Sequence, residues 1–157
     1  MLTFLIRCGL ILLSWSTIFL LPKKSFLKFL PVTIFSTVIL LVEDMIGRTY
    51  KLWKVKGGKR GATKNALTFI FGPFFVANLW TFHFTYGRFW VYTIFNLLFD
   101  LVFAYPLHYF LDKLGLYKLK KVKPIFLFYT AFAYSMLNYG FQMFLDKNFI
   151  IKEKDHK

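Results

Sequence analysis

Asp100 stands alone in a run that otherwise carries no formal charge from Phe89 to Leu111. Wound as a helix at about 1.5 Å per residue, such a run crosses the ~30 Å hydrocarbon core of a bilayer. A carboxylate near the middle of such a helix is costly and calls for a partner or a function. The chain holds four further runs of similar character. It is therefore read as an all-α integral membrane protein, a bundle of about five transmembrane helices in one domain.

Composition points the same way. Hydrophobic residues make up 57% of the 157, and 22 are Phe. A soluble domain of this size could bury only part of that surface, and the rest would form aggregating patches. The formal net charge of +14 would suit nucleic-acid binding, but its placement argues against that. Of the 21 Lys and Arg residues, seven lie between Arg48 and Lys64 and five between Lys113 and Lys123. Both groups flank apolar runs, where membrane topology puts positive charge. The expected partner is the lipid bilayer and no nucleic acid, with anionic headgroups against Lys54, Lys56, Lys59, Arg60, Lys118, Lys120 and Lys121. A homo-oligomer or a second membrane protein is a further possible partner.

Cys8 is the single cysteine, which excludes an intramolecular disulfide and a cysteine metal site. Arg7 before it does not suit a lipoprotein cleavage site. The first apolar stretch has no basic region before it and no small-residue cleavage pattern at its end, so it reads as a retained helix.

The spans fit 2–21, 26–46, 66–84, 89–110 and 124–145. Pro22-Lys23-Lys24 closes the first, and Pro124 opens the fifth where a helix start tolerates proline. The uncharged part of the second, Phe29–Val42, is too short to cross, so Lys28, Glu43 and Asp44 must snorkel or be buried against protein. Thr85-Tyr86-Gly87-Arg88 forces an antiparallel hairpin between the third and fourth. The basic, glycine-containing linker Gly47–Asn65 reads as a flexible loop or a surface-lying basic segment, with Trp53 as a headgroup anchor. The tail 146–157 is polar and expected to fray.

With five crossings, the linkers after the second and fourth helices share a side with the N-terminus. That side holds 13 Lys and Arg residues against eight on the other. The positive-inside rule then puts the N-terminus in the cytoplasm and the C-terminus outside, in a bacterial cytoplasmic membrane. Arg7, Glu43, Asp44 and His108 come near the cytoplasmic face. Asp100 lies near the midplane, with Asn96 one turn away and His108 on the same broad face two turns on.

These six residues form the candidate intramembrane polar site. An ion pair between Asp100 and Arg7 is one expectation for it, a working carboxylate is a second, and a protonated, neutral carboxyl is a third. Asn78, Asn138 and Gln142 read as glue between helices, and His108 as interfacial. Glu43 and Asp44 oppose the helix dipole near a C-terminus, so Arg7, Arg48 or Lys51 should pair with them. The chain contains no H-E-x-x-H, Walker loop, G-x-S-x-G or C-x-x-C pattern. No cofactor and no metal are expected.

The stretch Trp15–Gly47 has a lysine–proline break before a second apolar run ending in Val42-Glu43-Asp44. Asn96–Lys118 carries Tyr105-Pro106 and then Asp112-Lys113. In this layout the chain resembles a family of small multi-pass membrane proteins of spore-forming Firmicutes. The resemblance implies the multi-pass arrangement and carries no activity. The function expected is therefore a non-enzymatic membrane protein that acts through partners or self-assembly. The alternatives are a small transporter or channel subunit using Asp100 for a proton or cation, and an intramembrane enzyme with a carboxylate–histidine site.

Overall fold

The computed structural model describes residues 2–55, 58–113 and 117–154. The elements run α1 (Leu2–Ile18), α2 (Lys23–Thr49), β1 (Trp53–Val55), α3 (Gly58–Phe69), α4 (Phe75–Thr85), α5 (Phe89–Val102), α6 (His108–Lys113), β2 (Tyr117–Leu119) and α7 (Pro124–Lys154). A π-helical turn, Ile70–Phe74, joins α3 to α4, and a second, Phe103–Leu107, joins α5 to α6. The described residues thus form five continuous helices.

Each π turn contains a proline, Pro73 in one and Pro106 in the other. Proline has no N–H for the carbonyl four residues back. The helix adjusts by widening: Phe75 N–H reaches the carbonyl of Ile70, and His108 N–H that of Phe103, each five residues back.

Three helical stretches are long and apolar enough to cross a membrane: Lys23–Thr49, Arg60–Thr85 and Phe89–Lys113. The apolar part of α1, Arg7–Ile18, is shorter. α7 has the length, with 31 residues, but tyrosines and amides dilute its apolar character. Large apolar side chains cover the outside of the bundle: Phe19 is 92% exposed, Leu20 78% and Trp90 74%. A water-facing surface of this kind would aggregate.

α2 is the central helix, packed on α4 and α7, while α5 packs on α7 and α1 on the α3–α4 helix. One core lies where α2, α4 and α5 meet, built on Phe29, Val32, Leu79, Phe82 and Tyr92. Polar groups tie the helices through this region. Tyr92 donates its O–H to the carbonyl of Ser135 (2.8 Å), and the amide of Asn138 donates to Ser36 Oγ (2.9 Å). The Lys28 ammonium sits over the ring of Tyr86, 3.7 Å from its centroid.

The long basic linker is not a flexible loop. β1 pairs antiparallel with β2 in the register Trp53↔Leu119, Lys54↔Lys118 and Val55↔Tyr117. Gly58, at φ +64°, then opens α3, eight residues before the span inferred from hydropathy. Lys64 lies on the exposed side of α3, whereas Ala62, Asn65 and Thr68 are buried. A helix can carry a charged face and a buried face at once, and mean hydropathy does not register the difference.

α2 also runs past the expected end at Ile46. It finishes in a Schellman cap: Lys51 N–H bonds the carbonyl of Arg48, Leu52 N–H bonds that of Gly47, and Lys51 takes φ +55°. The chain turns there into β1. At the C-terminal end α7 continues to Lys154, where the sequence suggested a fraying tail. Asp146 is held inside it, accepting from the Tyr86 hydroxyl (2.5 Å) and the Gln142 amide (3.1 Å).

Candidate functional site

The ribbon of β1 and β2 has two faces. Trp53, Tyr117 and Leu119 face inward and pack with Ala104 and Leu127 in a second core. Lys54 and Lys118, directly opposite each other, are exposed, as are Lys120 and Lys121. Trp53 is therefore only 8% exposed, buried against the bundle instead of anchoring at headgroups. The ring has room because Gly47 of α2 lacks a side chain at the point of contact.

Behind the ribbon, between the ends of α2, α3, α5, α7 and the start of α1, lies a partly enclosed cavity of ≈ 530 Å³. Five of the six candidate residues named from sequence line it: Arg7, Glu43, Asp44, Asp100 and His108. Both π turns contribute walls through Ile70, Phe74, Phe103 and Leu107, and Phe74 meets Phe103 edge-on at 5.3 Å. The widened turns at Pro73 and Pro106 thus sit at the same depth and bound the same space.

Most of the charges have partners. Arg48 bridges Asp44 at 2.6 Å, and the Trp53 indole also bonds Asp44. Glu43 is within hydrogen-bonding reach of the Thr130 hydroxyl. Arg7 does not pair with Asp100. Its Nε donates to Asn65 Oδ1 at 2.7 Å, and its Nη2 to the carbonyl of Gly61 at 3.4 Å. The expected pair fails because α3 begins early and places Asn65 and Gly61 alongside α1. Asp100 Oδ2 and His108 Nδ1 are both buried without a hydrogen-bond partner among the described residues.

Asn96 takes no part in the cavity. It donates to the carbonyl of Tyr92 (2.8 Å) and accepts from Ser135 Oγ (3.2 Å), joining α5 to α7. His108 stands edge-on to Tyr117, centroids 5.6 Å apart. Tyr117 and Trp53 line the cavity without having been candidates. Their signal in the sequence is faint: short apolar–basic alternation, Trp53-Lys54-Val55 and Tyr117-Lys118-Leu119, in two separate linkers. Burial, followed by the negative charge of Glu43 and Asp44, pushes the Tyr117 phenol well above its ordinary range.

Of the basic residues expected at headgroups, Lys54, Lys118, Lys120 and Lys121 are exposed around the ribbon, and Arg60 is exposed on α3. Lys56 and the side chain of Lys59 lie outside the described residues. No three His, Cys, Asp or Glu side chains among the described residues converge as metal ligands. Comparison with protein-family models, curated proteins and solved structures finds no match.

Proposed function

We propose that the chain is a multi-pass integral membrane protein that crosses a bacterial cytoplasmic membrane five times and acts by binding, not by catalysis. The N-terminus and the ribbon face the cytoplasm, and the C-terminus lies outside. The observation that carries this reading is the pairing of the two most basic linkers into one ribbon. Helices on either side of it expose large apolar side chains, while the ribbon turns lysines outward at one end of the bundle. Positive charge gathered at one end is the pattern of a cytoplasmic face. There the lysines meet anionic headgroups. The layout resemblance to small multi-pass proteins of spore-forming Firmicutes agrees with this arrangement.

Reporter fusions test the topology. A fusion after Leu145 should report an external location and one within Lys54–Lys64 a cytoplasmic one. A cytoplasmic signal from the C-terminal fusion would refute either the five crossings or their direction.

The cavity favours a second reading, a small transporter or channel subunit in which Asp100 takes a proton or cation. An unpartnered carboxylate oxygen beside a cavity is what such a role requires. The third reading, an intramembrane enzyme, has only the shared cavity in its favour.

A further inference from the structure

We propose that the cavity behind the ribbon is a binding site for a small lipophilic cation, an ammonium or phosphonium carrying apolar groups, with Asp100 as its counter-ion. This rests on the second reading above and names the class of ligand. The space suits it: ≈ 530 Å³ is within the range of small-molecule sites. The walls suit it as well. Trp53, Phe69, Phe74, Phe103, Phe110 and Tyr117 supply aromatic surface, and aromatic faces attract cations with little need for water.

The charges set the sign. Three carboxylates line the cavity, Glu43, Asp44 and Asp100, with one guanidinium, Arg7. Arg7 is already engaged by Asn65 and Gly61, and Asp44 by Arg48 from outside the cavity. Asp100 is left with no partner among the described residues. A cation would complete it, whereas an anion of the same shape would meet an excess of negative charge. His108 Nδ1, also without a partner, can accept from an ammonium N–H when the ring carries its proton on Nε2. A bare metal ion fits less well, since no third ligand joins these two. A large apolar cation needs only one counter-charge and a greasy wall.

The test uses the purified full-length protein in lipid nanodiscs. Tetraphenylphosphonium is titrated in, and binding is followed by tryptophan fluorescence, to which Trp53 reports from the cavity wall. Tetraphenylborate, an anion of nearly the same shape, is the control. Saturable phosphonium binding is expected, weakened by about tenfold or more in Asp100→Asn, kept within a few-fold in Asp100→Glu, and absent for the borate. Leu40→Trp, which fills the cavity and leaves Asp100 in place, should also abolish binding; this arm decides the matter where Asp100→Asn fails to fold. Equal binding of both ions would reduce the effect to partitioning into lipid and overturn the proposal. So would unchanged affinity in Asp100→Asn, or no saturable binding by the wild type. Asp100-dependent proton flux in liposomes without phosphonium binding would overturn the ligand class and leave the second reading standing, so the two failures are told apart.

Discussion

The indole of Trp53 lies so close against Gly47 that a Cβ at Gly47 would clash with the ring. The contact fixes where β1 leaves α2. It also explains why a glycine stands in the last turn of a long helix, where it costs about 0.5–1 kcal/mol relative to alanine. Gly47→Ala should therefore destabilise the protein by about 1–3 kcal/mol through overpacking, despite its better helix propensity. Trp53→Leu in the same chain should recover much of that loss. Thermal unfolding in detergent measures both; a stabilising Gly47→Ala would mean that the ribbon does not seat on α2 this way.

The same contact marks a limit of what the sequence reveals. The apolar runs made the helices legible, because about 20 consecutive lipid-compatible residues have few other ways to satisfy their backbone. By hydropathy the second span ends at Ile46 and Gly47 opens the linker, a position where glycine commonly follows a helix. In the structure Lys51 takes the left-handed position instead, and Gly47 makes room for a ring. The strand pair was illegible because each strand is three residues long and its partner lies in another linker. Depth along the helices was enough to bring Asp100, His108, Glu43, Asp44 and Arg7 toward one space. Pairing was not, because it depends on Asn65, which a hydropathy boundary left at the very end of a loop.

Tyr117, on β2, gives a pH signature. Burial and the nearby acids raise its pKa in the folded state. The neutral phenol is the favoured form, so its contribution to stability is complete below the ordinary tyrosine value of about 10 and is lost as pH rises beyond it. Alkaline titration of phenolate absorbance should show a late-ionising tyrosine that disappears in Tyr117→Phe. Loss of amplitude near the ordinary tyrosine value instead of from the late phase would place Tyr117 in water.

Lys54 and Lys118 stand opposite each other on the ribbon, and like charges so placed repel. An anionic surface relieves that repulsion, at up to ~1 kcal/mol for each lysine near it. Changing Lys54, Lys118, Lys120 and Lys121 together to Gln should reduce co-purified anionic lipid and stabilise the lipid-free protein slightly. Equal lipid retention by variant and wild type would count against a headgroup role for the ribbon.

Asn138 and Ser36 hold α7 to α2 through a buried hydrogen bond of 2.9 Å. Asn138→Ala should cost about 1 kcal/mol. In the chain that already carries Ser36→Ala it should cost less, since the two residues share one interaction. Additive losses in detergent unfolding would show that the two side chains act separately.

The membrane arrangement as a whole is tested most directly by thiol labelling in intact bacterial cells. In a Cys8→Ser background, single cysteines replace Arg88, in the turn between α4 and α5, and Lys118, on the ribbon. A membrane-impermeant maleimide should label Arg88→Cys in intact cells and Lys118→Cys only after lysis, with both proteins in the membrane fraction. Labelling of Lys118→Cys from outside, equal labelling of both before lysis, or recovery of the protein in the soluble fraction would contradict the account.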